Sequence, residues 1–101
     1  MPRRRTVGKV RSVDLALYAD ELAAEASMLA ARLERARCRL QRAALEREAR
    51  HALGATTIER LEVLGILRCG ETRAMRAEIA ELTASLRAVE LLQAWVEERL
   101  A

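Results

Sequence analysis

A chain of 101 residues can form one domain at most, and with 51% hydrophobic and 33% charged residues it is not expected to be disordered. Only Tyr18 and Trp95 are aromatic, proline occurs once, and runs of β-branched residues are missing, which excludes most β-sheet folds. We therefore predict an all-α protein.

The N-terminal segment is strongly basic. Its five cations are Arg3, Arg4, Arg5, Lys9 and Arg11, whereas the net charge of the whole chain is only +3. Because Pro2 and Gly8 disfavour a helix, we predict that residues 1–11 form a flexible basic tail before a helical domain at residues 12–101.

The basic segment does not resemble a signal peptide, since no apolar run follows it. The longest apolar run, 63–67, is too short to cross a membrane. Cys38, Cys69 and His51 have no metal-like spacing. We expect a cytoplasmic protein with reduced thiols, no bound metal and no membrane contact.

A long first helix is predicted over residues 13–53, with Ser12 as its N-cap. Its apolar residues follow a heptad repeat, in which positions a and d alternate at spacings of three and four. Position a holds Ala19, Ala26, Leu33 and Leu40, and position d holds Leu15, Leu22, Leu29, Ala36 and Ala43. This pattern predicts a seam that packs against another helix. The seam ends where Arg47 and Arg50 occupy its next two positions.

A tight turn is predicted after the first helix. Gly54 stands where a helix commonly ends with a glycine in the left-handed conformation. Thr56 and Glu59 follow with the T-x-x-E spacing of a capping box, which would open a second helix.

The second arm carries the same heptad repeat. Position a holds Ile58, Ile79, Leu86 and Leu100, and position d holds Leu61, Met75, Leu82, Val89 and Val96. Gly65, Arg68 and Thr72 fill the seam poorly, and Gly70 costs about 1 kcal/mol relative to Ala inside a helix. We expect a helix that is either continuous or kinked, with any break at residues 69–71.

The arms are similar in length, and a short turn between them predicts an antiparallel two-helix coiled-coil hairpin. Folding at the turn pairs residue i with roughly residue 111 − i. The expected pairs are Leu15 with Val96, Leu22 with Val89 and Leu29 with Leu82. In this register, seam residues meet seam residues.

Apolar residues outside the seam form two clusters that one partner helix cannot cover. Near the turn lie Val63, Leu64, Ile66 and Leu67, and near the C-terminus lie Leu91, Leu92 and Trp95, with Tyr18 expected beside them. Exposure of each side chain forfeits roughly 1.5–3 kcal/mol of burial, which indicates an intermolecular surface. We expect a homodimer that forms a four-helix bundle. The alternatives are a third short helix that covers one cluster, or a different protein partner.

Arginines on the first helix form a row with spacings of three and four residues. They are Arg32, Arg35, Arg39 and Arg42. The row either binds phosphate groups of a nucleic acid or nucleotide, or forms ion pairs with Glu71, Glu78 and Glu81 on the second arm. The basic tail likewise either contacts phosphates or only keeps the chain soluble.

Two short motifs resemble known families. The stretch IERLEVLGILR, residues 58–68, resembles the end of a winged-helix or MerR-like unit, although no helix-turn-helix precedes it. The Arg-rich helical chain also resembles small actinobacterial anti-sigma factors that bind cyclic di-GMP through an E-x3-S-x2-R-x3-Q-x3-D motif. Arg37 and Gln41 match the centre of that motif. Glu81 and Ser85 match its start but lie on the other arm, so no ligand residues are carried over.

No motif indicates an enzyme, since the GxSxG, P-loop, HExxH and Rossmann patterns are missing. We therefore predict a non-enzymatic, cofactor-free bacterial regulatory or adaptor protein that binds a protein, with the transcription machinery as the expected setting. The alternative is a dimeric nucleic-acid-binding protein that uses the basic tail and the arginine row, or a binder of a phosphate-rich nucleotide messenger.

Overall fold

The computed structural model describes the backbone of residues 2–68 and 70–101 and the side chains of residues 14–68 and 70–101. Three α-helices occupy most of these ranges: α1 spans Pro2–Ala52, α2 spans Ala55–Val63 and α3 spans Thr72–Leu100. No strand occurs in the described backbone. The predicted all-α helical hairpin is confirmed, with α1 and α3 as its arms and α2 within the connection.

The chain divides into two compact units. Unit 1 contains Met1–Arg32 and Leu82–Ala101, and unit 2 contains Leu33–Glu81. Each unit therefore holds a part of both arms, and the connection lies in unit 2.

The first helix starts earlier than the sequence predicts. It is continuous from Pro2, so Ser12 lies in its interior and is not an N-cap. Proline is well tolerated at a first helical position, because the N–H that it lacks would have no partner within the helix. The backbone of residues 2–11 belongs to this helix, whereas the side chains of the basic segment lie outside the described part of the chain, so the role of the segment stays a prediction.

The predicted seam is confirmed in both units. In unit 1, Leu22, Leu29 and Val96 are buried, and in unit 2, Leu33, Ala36 and Ala43 are buried. The remaining seam positions of α1 and the others of α3 from 72 to 93 are half-buried. Leu100, at the end of the repeat, is exposed. Val96 has no exposed surface, and burial of a side chain of this type contributes roughly 1.5–3 kcal/mol.

Gly54 does not adopt the predicted left-handed conformation. Its φ of −71° and ψ of 157° are extended, and it is the N-cap of α2. Its carbonyl accepts a hydrogen bond from the N–H of Ile58 at 3.0 Å, and no side chain caps the helix. The predicted capping box of Thr56 and Glu59 is therefore wrong, because α2 already begins at Ala55 and encloses both residues.

The left-handed glycine is Gly65, with a φ of 75°. Its N–H donates to the carbonyl of Glu62 at 3.0 Å, and the N–H of Ile66 donates to the carbonyl of Leu61 at 3.0 Å. These two bonds form a Schellman motif, which satisfies carbonyls at the end of α2. The break in the second arm therefore opens at residue 64, ahead of the predicted interval 69–71.

The register within unit 2 differs from the predicted one by about one heptad. Arg39 forms an ion pair with Glu78, whereas the predicted register placed Thr72 opposite Arg39, six residues earlier. Arg47 likewise donates to Thr72 Oγ1 at 3.1 Å, whereas the predicted register placed Leu64 opposite Arg47. The predicted register of i with 111 − i is therefore wrong in this unit.

The path of the connection explains this shift. In chain order, Glu62 bonds to Arg50, the Ile66 carbonyl to Arg42, Thr72 to Arg47 and Glu78 to Arg39. The chain thus reaches the level of residue 42 of α1, returns towards residue 47, and only then runs down α1 as α3. This excursion takes up residues that the predicted tight turn had assigned to the second arm.

Candidate functional site

The connection presents an apolar surface in unit 2. Val63 is 82% exposed, Leu64 is 64% exposed and Ile66 is 53% exposed. We call these three residues the α2 cluster. Leu67, which the sequence analysis placed in the same cluster, is 7% exposed and belongs to the intrachain core. Three of the four residues predicted near the turn are therefore available to a partner.

The amphipathic arrangement of α2 produces this exposure. Ile58 and Leu61 lie half-buried on its inner face. The outer face lines an open depression of about 380 Å³, formed by Thr56, Glu59, Arg60, Val63 and Leu64. Residues spaced by three and four lie on one side of a helix, so this face is contiguous. It is apolar at the C-terminal end of α2 and carries an adjacent acid and base at its centre.

A second apolar surface lies in unit 1. Leu91 is 59% exposed and Trp95 is 47% exposed, and they lie one turn apart on α3. Leu92 is half-buried beside them, and Tyr18 of α1 is 41% exposed in the same unit. The Arg99 guanidinium lies 4.3 Å from the centroid of the Trp95 ring, a cation–π contact that partly covers the indole.

Two of the four arginines in the predicted row, Arg39 and Arg42, form ion pairs with glutamates. Arg39 Nη2 donates to both carboxylate oxygens of Glu78 at 2.9 Å, which confirms one of the three predicted glutamate partners. Arg42 Nε donates to Glu46 at 3.2 Å, and its Nη2 donates to the carbonyl of Ile66 at 3.2 Å. Within unit 2, Arg39 thus links α1 to α3, and Arg42 links α1 to the connection.

The other two arginines of the row form no ion pair among the described residues. Arg32 and Arg35 are exposed, and neither has an acidic side chain within 4.0 Å among the described residues. The arginines and Lys9 of residues 3–11 lie outside the described side chains. The structure therefore leaves Arg32 and Arg35 as the described cations of the row that a ligand can reach without displacing an ion pair.

A second group of arginines was missed by the sequence analysis. Arg47, Arg50 and Arg68 line one cavity of about 230 Å³, together with Ala43, Glu46 and Gly70. Arg47 Nη2 donates to Thr72 Oγ1 at 3.1 Å, and Arg68 Nε makes a long contact of 3.5 Å with the carbonyl of Gly65. A signal was present in the sequence, since Arg47 and Arg50 occupy seam positions where an apolar residue is expected.

Arg50 is the most constrained member of this group. Its Nη1 donates to Glu62 Oε2 at 3.0 Å, and its Nη2 is buried without a hydrogen-bond partner. Buried polar groups in folded proteins are nearly always hydrogen-bonded to protein or to ordered water, so this donor has room for an acceptor from water or from a ligand in the adjacent cavity.

Neither a metal-binding group nor a membrane-spanning helix occurs among the described residues. Among the described residues, no three His, Cys, Asp or Glu side chains are grouped as metal ligands. Over the same part of the chain, no helix is both long and apolar enough to span a membrane. Cys38 is an exposed free thiol.

Comparison with known proteins gives no relative. No protein-family model matches the chain, and no curated protein or solved structure is significantly similar to it. The exposed apolar residues and the arginine-lined cavity are therefore the basis for a functional proposal.

Proposed function

We propose that this protein is a non-enzymatic adaptor that binds another protein through the α2 cluster and the outer face of α2. The exposure of Val63, Leu64 and Ile66 on one short connection carries the proposal. Monomeric soluble proteins rarely leave adjacent large apolar side chains uncovered, and such patches commonly mark binding surfaces.

The outer face of α2 suits a groove on the partner. Thr56, Glu59, Arg60 and Val63 lie on one side of the helix, so a groove can contact polar side chains along α2 and apolar ones at its C-terminal end. The apolar end supplies buried area, while Glu59 and Arg60 can fix the orientation of the helix through charge. The Schellman motif ends α2 with its carbonyls satisfied, so the helix presents this face without exposed backbone acceptors at that end.

Capture of the partner tests this proposal. A photo-crosslinking residue at position 59, used in native cytosol, should give a discrete adduct that Leu64→Asp abolishes. Leu45→Asp is the matched control, because Leu45 is 66% exposed in unit 2 but lies outside the α2 cluster. With the purified partner, Leu64→Asp should weaken binding by about tenfold or more. Equal effects of the two variants would refute the proposal.

We also propose self-association through the apolar surface of unit 1. Leu91 and Trp95 favour it, because both are exposed on adjacent turns of α3. Leu91→Asp should lower the mass measured by sedimentation equilibrium, whereas Ala24→Asp, at an exposed position of α1 in the same unit, should not. A mass that stays that of one chain at high protein concentration would contradict the dimer.

The more specific proposal is that the partner belongs to the bacterial transcription machinery. It is supported by the resemblance of this Arg-rich helical chain to anti-sigma factors. The nucleic-acid alternative would use the basic segment 1–11 with the exposed Arg32 and Arg35. DNA affinity that falls steeply with salt, and that drops after deletion of 1–11, would favour this alternative over a protein partner.

A further inference from the structure

The arginine-lined cavity of unit 2 has a distinct position in the fold. It lies between the C-terminal part of α1, at residues 46–50, and the returning connection at Arg68 and Gly70. A smaller neighbouring cavity of about 100 Å³ shares Ala43, Glu46, Arg68 and Gly70 and is also lined by Arg39 and Arg42. Basic side chains therefore surround both sides of this part of the connection.

The charges around the larger cavity are not balanced. Arg42, Arg47, Arg50 and Arg68 contribute four positive charges, and Glu46 and Glu62 contribute two negative ones. Glu46 pairs with Arg42, and Glu62 pairs with Arg50. Arg47 and Arg68 have no carboxylate within 4.0 Å among the described residues, so two positive charges remain uncompensated.

Arg50 adds a donor that requires an acceptor. Its Nη2 is buried and has no hydrogen-bond partner among the described protein atoms, while Glu62 holds its Nη1. Leaving a buried charged donor unpaired costs free energy, which a bound acceptor would recover. A cavity of about 230 Å³ has room for an oxyanion and several water molecules.

We propose that this cavity binds a phosphate group. A phosphate dianion matches the two uncompensated charges, and its oxygens can accept hydrogen bonds from the forked guanidinium groups of Arg47, Arg50 and Arg68. Glu46 also lines the cavity, and its charge is compensated by the ion pair with Arg42. The ligand is either free inorganic phosphate or the terminal group of a phosphate monoester.

Occupancy would add a further link between α1 and the connection. Arg50 already contacts Glu62 of α2, and Arg68 follows the α2 cluster along the chain. A phosphate held by both arginines would therefore steady the surface proposed above for protein binding. The cavity and its ligand do not depend on that proposed function, so the two proposals can fail separately.

The experiment is a calorimetric titration of the full chain at low ionic strength. Its arms use inorganic phosphate, adenosine 5′-monophosphate and glycerol 3-phosphate, with sodium acetate as the carboxylate control. We expect saturable binding of phosphate, or of a monoester, and no comparable binding of acetate. Saturation by a monoester alone supports the site and identifies an ester as the source. No saturation by any phosphate, or equal binding of acetate, overturns the proposal.

Substitutions of single arginines test which residues form the phosphate site. Arg47→Gln and Arg68→Gln should each weaken phosphate binding by about tenfold or more, because each removes a charge-assisted donor. Arg73→Gln is the matched control, since it removes the same charge from an exposed position of α3 in unit 2 that does not line the cavity. An equal loss in all three variants would mean unspecific attraction and would overturn the site.

NMR spectroscopy gives a readout that does not depend on the measured affinity. The Nε–H signal of Arg50 should shift when phosphate is added to the unmodified protein and to the Arg73→Gln variant. Circular dichroism should show that the helix content of every variant is unchanged. If the Arg50 signal does not shift at saturating phosphate, the ligand binds elsewhere and the proposal is overturned.

Discussion

Arg50 Nη1 donates to Glu62 Oε2 at 3.0 Å, and this ion pair fastens α2 to the last turn of α1. The side chains are 29% and 41% exposed, so solvent screens the pair only in part. The contact adds to the half-buried Ile58 and Leu61 in positioning α2, which has no fully buried residue among its nine.

Glu62→Gln is expected to destabilise the protein by about 0.5–1 kcal/mol, since it removes the charge that compensates the Arg50 guanidinium. Urea unfolding measures the change, and the loss should shrink as salt is added. Glu59→Gln on the same helix is the control, because Glu59 has no ion pair among the described contacts. Identical effects of both substitutions would show that the pair does not anchor α2.

The two glycines of the connection should respond oppositely to alanine. Gly65 has a φ of 75°, where a Cβ is strained, so Gly65→Ala should cost about 1 kcal/mol or more. Gly54 has a φ of −71°, and a Cβ added there would meet no atom within 4 Å, so Gly54→Ala should change stability by less than about 0.5 kcal/mol. Thermal unfolding compares them. The reverse order would mean that the chain turns at Gly54.

Val96 tests the core of unit 1. Val96→Ala should destabilise the protein by about 2–3 kcal/mol, because Val96 has no exposed surface and the smaller side chain leaves a cavity. Leu91→Ala on the same helix should cost less than about 0.5 kcal/mol in the monomeric protein, since Leu91 is 59% exposed. Denaturant titration at low protein concentration measures both. A small effect at Val96 would be inconsistent with a packed seam.

The sequence was sufficient to predict the seam but not its register. Burial of one stripe on each helix requires apolar residues at spacings of three and four, and these are visible in any single sequence. A shift of seven residues places every seam position on another seam position, so the heptad pattern cannot distinguish registers one heptad apart. The pairing of Arg39 with Glu78 depends on the path of the connection, which periodicity does not encode.

The left-handed glycine was predicted at Gly54 but lies at Gly65, for a related reason. Gly54 and Gly65 both follow apolar helical residues, and either can end a helix. The chain uses Gly65 for the left-handed turn, because the bonds to the carbonyls of Leu61 and Glu62 form there. The sequence carries the LG dipeptide at both places, 53–54 and 64–65, and gives no local reason to prefer one.

In the candidate surfaces, too, some features follow from the local sequence and others only from tertiary contacts. Exposure of Val63 and Leu64 was predictable from the excess of apolar residues near the turn. Burial of Leu67 and the cavity of Arg47, Arg50 and Arg68 were not, because both result from the connection folding back onto α1. Basic residues in two seam positions were the sign that something other than a helix packs there.

Disulfide trapping would test the register directly. In a background with Cys38→Ser and Cys69→Ser, the pair Ala43→Cys and Gly70→Cys should oxidise readily, because a Cβ built at Gly70 lies 3.6 Å from Cβ of Ala43. The pair Ala36→Cys and Met75→Cys belongs to the predicted register and should stay reduced, since Ala36 lies seven residues away, about 10 Å along α1. Mass spectrometry after mild oxidation and alkylation reads out both pairs. Preferential trapping of Ala36→Cys would restore the tight turn at Gly54 and remove the cavity, because Arg68 would then lie within a continuous second helix.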